Sequence, residues 1–173
     1  MSSVVISGDT SGTVSLTVPA VAGTNTATLP AATGTVMVSG NMPAFSYYQS
    51  VAQTLASATF TKITFTTSEF DTTGGMYAAS RVTPTVAGYY QISGGLATSS
   101  TATGIFFYMY KNGALYKNMG GVGGTVGAAS GSALVYCNGT TDYIELYGYF
   151  VVGQNTSNNL YATYFQGSLV RAA

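Results

Sequence analysis

The sequence of 173 residues contains no histidine, no tryptophan and a single cysteine, Cys137. Without histidine, the chain cannot form a Ser-His-Asp or Cys-His nucleophilic site, and it offers no imidazole ligand to a metal. A single cysteine excludes an intrachain disulfide and a thiolate zinc site. We therefore expect a protein that is not an enzyme and has no catalytic residues, no metal site and no cofactor.

Charge is also scarce. Charged residues make up 6% of the chain, and five basic residues balance five acidic ones, whereas about 25% is usual in soluble domains. A neutral chain lacks the electrostatic attraction that draws proteins to nucleic acid or to anionic membranes, so we expect neither as a partner. The N-terminal sequence MSSVVISGDT has no basic segment and no apolar run, so we expect no signal peptide. Low net charge promotes association, which favours a structural role in a permanent assembly.

The first 40 residues alternate small hydroxyl and aliphatic side chains, a pattern typical of β-strands. Thr17-Val18-Pro19-Ala20 recurs 11 residues later as Thr28-Leu29-Pro30-Ala31, and each proline is expected to end a strand. Two such strands cannot bury an apolar face by themselves. The segment is either a low-complexity linker or a β-rich arm that clamps onto other chains, and the regular alternation favours the arm. Its candidate attachment residues are Val14, Leu16, Val18 and Leu29.

Residues 41–173 read as a series of short strands separated by turns. Strands are predicted at 59–66, 88–93, 105–110, 133–137, 142–150 and 160–170. Asn112-Gly113 and Asn138-Gly139 are typical hairpin turns, and the glycine tract at 120–124 is predicted to be a flexible loop. Because no helical periodicity is present, the pattern indicates an all-β sandwich or barrel.

Six short segments carry a family resemblance. They are PAFS at 43–46, Phe65 with Phe70-Asp71, TPTVAGYY at 83–90, YKNG at 110–113, NGTTDYIEL at 138–146 and FQGSL at 165–169. In this order they resemble the globular head of complement component 1q, which shares a ten-stranded jelly roll with the tumour necrosis factor family. The fifth segment carries two residues more than the family's strand.

The resemblance implies a jelly-roll β-sandwich head at 41–173 that forms a compact homotrimer. The family's collagen-like stalk is absent, since the sequence has no Gly-X-Y run. The arm at 1–40 stands in its place and resembles the β-rich connectors that precede such heads in predicted bacteriophage fibre and virion proteins.

Three features of the sequence are possible sites. Asp142 and Glu145 could serve glycoside hydrolysis, but residues at i and i+3 on a strand face opposite sides, so we expect solvated charges near a turn. Calcium binds at the trimer apex of some members of the resembled family, but the sequence has no Asp/Asn-rich loop for it. Cys137 has no basic neighbour in sequence, so we expect a buried, unreactive thiol.

The tyrosines of the strand at 142–150 are the candidate subunit-interface residues. Tyr143, Tyr147 and Tyr149 share one strand face with Glu145, whereas Ile144, Leu146 and Phe150 share the face expected to join the core. Tyrosine combines a large contact area with a hydrogen-bonding hydroxyl. Packing against a neighbouring subunit is favoured over stacking on carbohydrate, because a neutral head is expected to associate.

The sequence thus predicts a bacteriophage virion structural protein, a homotrimeric capsid decoration or cement protein. It would be made in the host cytoplasm, lie on the virion surface and hold a capsid or other virion protein through residues 1–40. The alternative prediction is the receptor-binding tip of a short tail or head fibre that recognises cell-surface glycan. A long fibre is disfavoured because 40 residues cannot form a long shaft.

Overall fold

The structure, a computed structural model, describes residues 3–21, 23–28, 31, 36–38 and 42–173. Within these ranges it contains strands and no helix, so no described helix is available to cross a membrane. The strands are β1 (Ser3–Ser7), β2 (Thr13–Thr17), β3 (Ala44–Tyr48), β4 (Thr54–Leu55), β5 (Thr61–Lys62), β6 (Thr67–Asp71), β7 (Tyr77–Ala78), β8 (Arg81–Val82), β9 (Gly88–Lys111), β10 (Ala114–Cys137), β11 (Ile144–Phe150), β12 (Gln154–Asn155) and β13 (Tyr164–Ala172).

The chain divides into two compact units, Met1–Gly34 and Thr35–Ala173. We call the second unit the head. Each unit is described by itself below. The division predicted from the sequence, at residues 40 and 41, stays a prediction.

In the first unit, β1 and β2 form an antiparallel pair that we call the arm hairpin. Val4 lies opposite Leu16 and Ile6 lies opposite Val14, so these four aliphatic side chains share one face. The other face carries four hydroxyl residues and one valine: Val5, Ser7, Thr13, Ser15 and Thr17.

The predicted strand at the first repeat is therefore confirmed as β2, but its partner is β1 and not the second repeat. Residues 23–28, which lead into the second repeat, form no strand. Leu29 and Pro30 of that repeat lie outside the described residues. Residues 3–7 place aliphatic side chains opposite those of β2, and these side chains share one face. This matching explains why β2 pairs with β1.

The head is organised around one long hairpin made of β9 and β10, each of 24 residues. Asn112 and Gly113 form its turn, with φ angles of 53° and 79°. Both angles are positive, as a two-residue hairpin turn requires, and this explains the Asn-Gly pair. The glycine tract at 120–124 lies inside β10, so the predicted flexible loop is wrong. Residues 120–122 of the tract have partners in β9, where Gly121 pairs with Phe106, and a paired backbone needs no side chains to form a strand.

Both long strands run through two sheets. The first sheet has the order β6, β3, β13, residues 88–97 of β9 and residues 128–137 of β10. The second sheet contains residues 114–122 of β10, residues 105–111 of β9, then β11, with β5 and the β8–β7 pair beyond it. This two-layer, antiparallel arrangement is a jelly-roll sandwich, as the sequence predicts.

The apolar core lies between the two sheets. Phe45 of β3 and Phe165 of β13 meet edge to face with ring centroids 5.1 Å apart, which brings together the first and last segments of the resemblance. A Cβ atom at Gly94 would lie 2.7 Å from Leu146 Cδ1 and 2.8 Å from the Phe107 ring, so the two sheets pack closely at this point. The core face predicted for the strand at 142–150 is confirmed, because its three apolar residues are fully buried: Ile144, Leu146 and Phe150.

Candidate functional site

The outer surface of the second sheet is aromatic. We call it the tyrosine face; its members are Phe60, Phe106, Tyr108, Tyr110, Tyr143, Tyr147 and Tyr149. Tyr147 stacks on Tyr110 with ring centroids 3.9 Å apart, and Phe60 contacts Tyr149 at 5.0 Å. The three predicted tyrosines thus lie on one surface, as the alternation predicts. Their assignment to a subunit interface stays a prediction.

A buried carboxylate lies within the tyrosine face. Glu145 is 3% exposed, and its Oε1 atom accepts hydrogen bonds from Lys62 Nζ at 3.1 Å and from Arg81 NH2 at 3.0 Å. The Arg81 guanidinium also lies 3.6 Å from the centre of the Tyr143 ring, a cation–π contact. Two basic residues from other strands therefore neutralise a carboxylate that the sequence alone presents as isolated.

Asp142 is buried in the same way, next to the hairpin turn. Its carboxylate accepts a hydrogen bond from Asn112 Nδ2 at 2.7 Å and pairs with Lys111 Nζ at 2.9 Å. The Asn112 hydrogen bond, reinforced by Lys111, holds the pKa of Asp142 below its usual range. The expectation that Asp142 and Glu145 are solvated charges is wrong. Folding brings cations to both carboxylates, which offsets the cost of burying them.

The two carboxylates have separate basic partners, since Glu145 pairs with Lys62 and Arg81 whereas Asp142 pairs with Lys111. Among the described residues, no group of three or more acidic or cysteine side chains is placed to hold a metal ion. Cys137 is buried, as expected, and burial raises the pKa of its thiol to about 11.

The outer surface of the first sheet carries uncharged side chains over most of its three central strands, and the exposed Arg171 lies opposite Tyr89 near the end of β13. The uncharged outward side chains are Tyr89, Gln91, Ser93, Ser132, Leu134, Tyr136, Gln166 and Ser168. Three of them, on β9 and its edge neighbour β10, are 41–44% exposed: Tyr89, Leu134 and Tyr136. Sequence reasoning missed this surface, although the alternation of Leu134 and Tyr136 with buried Val135 and Cys137 was a usable signal.

A shallow depression of about 290 Å³ lies on the same surface. Phe70 of β6 borders it, and the polar side chains of Gln91, Ser93 and Gln166 line it. The surface therefore combines exposed side chains with a concave part, and none of the residues lining the depression is charged. Such a surface suits contact with another protein chain.

Two of the candidate attachment residues, Val14 and Leu16, lie on the apolar face of the arm hairpin, and Val18 follows the end of β2. Val14 is 63% exposed, Leu16 is 58% exposed and Val18 is 55% exposed. Val4 and Ile6 of β1, which sequence reasoning did not single out, share the face of Val14 and Leu16 at similar exposure. Leu29 lies outside the described residues.

Comparison with known proteins identifies the fold. The head is similar to murine APRIL, with a TM-score of 0.61 and 9% identity, covering 75% of this chain and 100% of that one. It is similar to the globular domain of zebrafish complement 1qA, with a TM-score of 0.56 and 13% identity over 77% and 100% of the two chains. It is also similar to Eiger TNF from S. frugiperda, with a TM-score of 0.56 and 7% identity over 76% and 94%.

The head therefore has the jelly-roll fold of the tumour necrosis factor and complement 1q domains, as the six sequence segments indicate. No family model matches the sequence. No curated protein matches it either. At these identities the comparison establishes the fold, and function has to be argued from the surfaces described above.

Proposed function

We propose that the protein is a structural protein of a bacteriophage virion, a homotrimeric decoration or cement protein held on the virion surface by its arm. The observation that carries the proposal is the apolar face of the arm hairpin. Its four aliphatic side chains are each 56–63% exposed: Val4, Ile6, Val14 and Leu16. A surface of this kind marks an interaction site.

The arm suits attachment to a protein better than to a charged surface. The hairpin has one charged residue, Asp9, which lies between its two strands. Two-stranded hairpins are marginally stable alone, and both outer edges of β1 and β2 present backbone groups that can pair with a further strand. A capsid or other virion protein can therefore add a strand at an edge and cover the apolar face.

The outer surface of the first sheet has features that would allow three subunits to form a closed ring. A closed ring needs two different patches on each subunit, one of which fits the other. The exposed side chains of Tyr89, Leu134 and Tyr136 and the depression beside Phe70 provide such a pair. The outward side chains of Gln91, Ser93, Leu134 and Gln166 on this surface are uncharged, so burying them requires no ion to be desolvated. We therefore favour the first sheet over the tyrosine face, with its charged Lys62, Arg81 and Glu145, as the subunit interface.

The attachment test compares two substitutions in the full chain. Leu16→Asp places a charge on the apolar face of the arm hairpin, whereas Ser15→Asp places the same charge on the hydroxyl face. We expect the first variant to remain folded but to be absent from purified particles, and the second to be present at normal occupancy. Equal occupancy of both variants would contradict attachment through this face.

The assembly test uses light scattering of the purified protein. The proposal requires a measured molar mass of about three times the chain mass of 17.7 kDa. Leu134→Asp should give monomers, whereas Leu115→Asp, at a leucine of the second sheet that is 55% exposed, should remain trimeric. If Tyr147→Asp gave monomers and Leu134→Asp did not, the interface would lie on the tyrosine face.

The second candidate function is the receptor-binding tip that recognises host surface glycan. It is favoured by the partly buried phenol side chains of the tyrosine face, which can stack on and hydrogen-bond to sugars. The two functions have different consequences. A decoration protein binds assembled capsids and raises their heat resistance, whereas a receptor-binding tip added in free form binds host cells and blocks infection.

A further inference from the structure

A second concavity of about 420 Å³ lies where the loop at 157–164 meets the far end of the first sheet. It is distinct from the depression beside Phe70, because the two share no lining residue. Its volume falls within the usual range for small-molecule sites. None of the residues that line it is charged.

The floor of the cavity is made of very small residues. Gly95 and Ala97 of β9 and Ala128 and Ala129 of β10 contribute no side chain beyond a methyl group. Tyr164 is the register partner of Gly95, and a Cβ atom at position 95 would lie 2.6 Å from the Tyr164 ring. Glycine at this position therefore lets the tyrosine ring lie against the strand, where it forms one aromatic wall.

The polar groups around the cavity have hydrogen-bonding capacity to spare. In the described part of the chain, the hydroxyl groups of Ser130, Tyr161 and Tyr164 make no hydrogen bond within the protein. Asn159 uses its amide nitrogen to donate to Ser157 Oγ at 3.2 Å, which leaves its amide oxygen as an acceptor. Tyr161 is 82% exposed at the rim, so its ring is accessible to a ligand.

The loop that bears these groups is held in place by backbone hydrogen bonds. Ser157 N donates to Ala97 O at 2.8 Å, and both Ala162 N and Thr163 N donate to Asn159 O, at 3.0 and 3.1 Å. The loop is thus tied to β9 and closed on itself. A site of this kind is formed before its ligand arrives, which reduces the entropy cost of binding.

We propose that this cavity binds a neutral saccharide. Two tyrosine rings provide stacking surfaces, and free hydroxyl and amide groups match the alternating donors and acceptors of a sugar. An ionic ligand would meet no counter-charge, and a purely apolar ligand would leave the polar groups unsatisfied. The inference goes beyond the proposed structural role and does not depend on the arm or on the trimer.

The test is saturation-transfer NMR on the full chain with a panel of neutral oligosaccharides built from hexoses and N-acetylhexosamines. We expect saturation transfer to at least one of them and none to acidic oligosaccharides of the same length. Tyr161→Ala should weaken the binding at least tenfold, because it removes the exposed wall without touching the core. Tyr116→Ala is the matched control, since Tyr116 is 43% exposed on β10 outside the cavity.

Three results would overturn the proposal. The first is no saturation transfer to any neutral member of the panel. The second is binding that survives Tyr161→Ala but is lost with Tyr147→Ala, which would place the sugar on the tyrosine face. The third is binding by the Leu134→Asp variant alone, which would show that a second copy of the chain covers the cavity in the assembled protein.

Discussion

The arm hairpin and the head are built from the same alternation of hydroxyl and apolar residues, but they differ in what covers the apolar side. Leu16 of the arm hairpin is 58% exposed, whereas Leu146 of β11 is fully buried. Both occupy the apolar face of a regular strand. In the head a second sheet covers that face, whereas in the arm hairpin no second layer covers it among the described residues. Alternation therefore makes a strand, and burial requires a second layer of structure.

The largest expected effect comes from the glycine at which β10 passes close to itself. A Cβ atom at Gly131 would lie 1.4 Å from the backbone oxygen of Met119, and rotating a side chain cannot relieve such an overlap. We expect Gly131→Ala to lower the free energy of unfolding by more than about 3 kcal/mol, the upper end for overpacking, as measured by denaturant titration.

Gly123→Ala is the matched control, because no atom lies within 4 Å of a Cβ at that position. It should change the free energy of unfolding by less than about 1 kcal/mol. Equal stability of the two variants would show that the glycine-rich part of β10 is not packed as described.

The second prediction compares a leucine on the covered apolar face of the head with a leucine on the exposed apolar face of the arm hairpin. Leu146→Ala removes a buried side chain from between the sheets and should lower the free energy of unfolding of the head by about 2–5 kcal/mol. Leu16→Ala removes an exposed side chain and should change it by less than about 0.5 kcal/mol. Denaturant titration of both variants measures the difference. A large effect of Leu16→Ala would mean that the arm hairpin belongs to the folded core of the head.

The third prediction compares two aspartates. The hydrogen bond from Asn112, with Lys111, lowers the pKa of Asp142 in the folded state. Its stabilising contribution is therefore present above the ordinary pKa and is lost as the pH falls through the folded pKa. At pH 7, Asp142→Asn should lower the free energy of unfolding by roughly 1–2 kcal/mol. The difference in the free energy of unfolding between the variant and the original protein should narrow as the pH falls below about 4.

Asp9 provides the control for this pH dependence, since it is exposed between the strands of the arm hairpin. Asp9→Asn should leave the unfolding of the head unchanged at every pH. Thermal unfolding of the three proteins between pH 2 and pH 7 measures the effect. If the stability difference between Asp142→Asn and the original protein widened in acid, the assigned downward shift of the Asp142 pKa would be contradicted.

The smallest effect concerns thiol reactivity and leaves stability unchanged. At pH 8 a thiol with a pKa of about 11 is ionised roughly 100 times less than a free cysteine. In a Ser15→Cys variant, the thiol introduced on the exposed arm hairpin should react rapidly with a disulfide reagent, whereas Cys137 should react at least about 100 times more slowly. After unfolding in guanidinium, the two thiols should react alike. Fast reaction of Cys137 in the folded protein would show that it is accessible.

Much of the fold could be predicted from the sequence because its signals are local. The alternation at 142–150 correctly separated the core side of β11 from the tyrosine side, and Asn112-Gly113 correctly placed the turn of the long hairpin. The glycine tract at 120–124 was misjudged because glycine has a weak strand preference of its own. There the strand is imposed by pairing with β9.

The ion pairs could not be predicted, since their members lie far apart in the chain. Lys62, Arg81 and Glu145 come from three separate strands and meet only after β5 and β8 line up beside β11. The same holds for the cavity beside Tyr164, whose walls come from β9, β10 and the loop before β13. No short segment of the sequence contains the information for either site.

By itself, the sequence determined the strand periodicity, the two-residue turn, the near absence of charge and the lack of histidine chemistry, because each depends on residue type and local spacing. Only the tertiary structure decided which alternating faces are covered, which carboxylates find cations and which glycines permit close packing. The physical reason is that a period of two residues defines the two sides of a strand equally well in both units. Burial, charge pairing and cavity shape depend on what lies across from that strand, as Leu16 and Leu146 show.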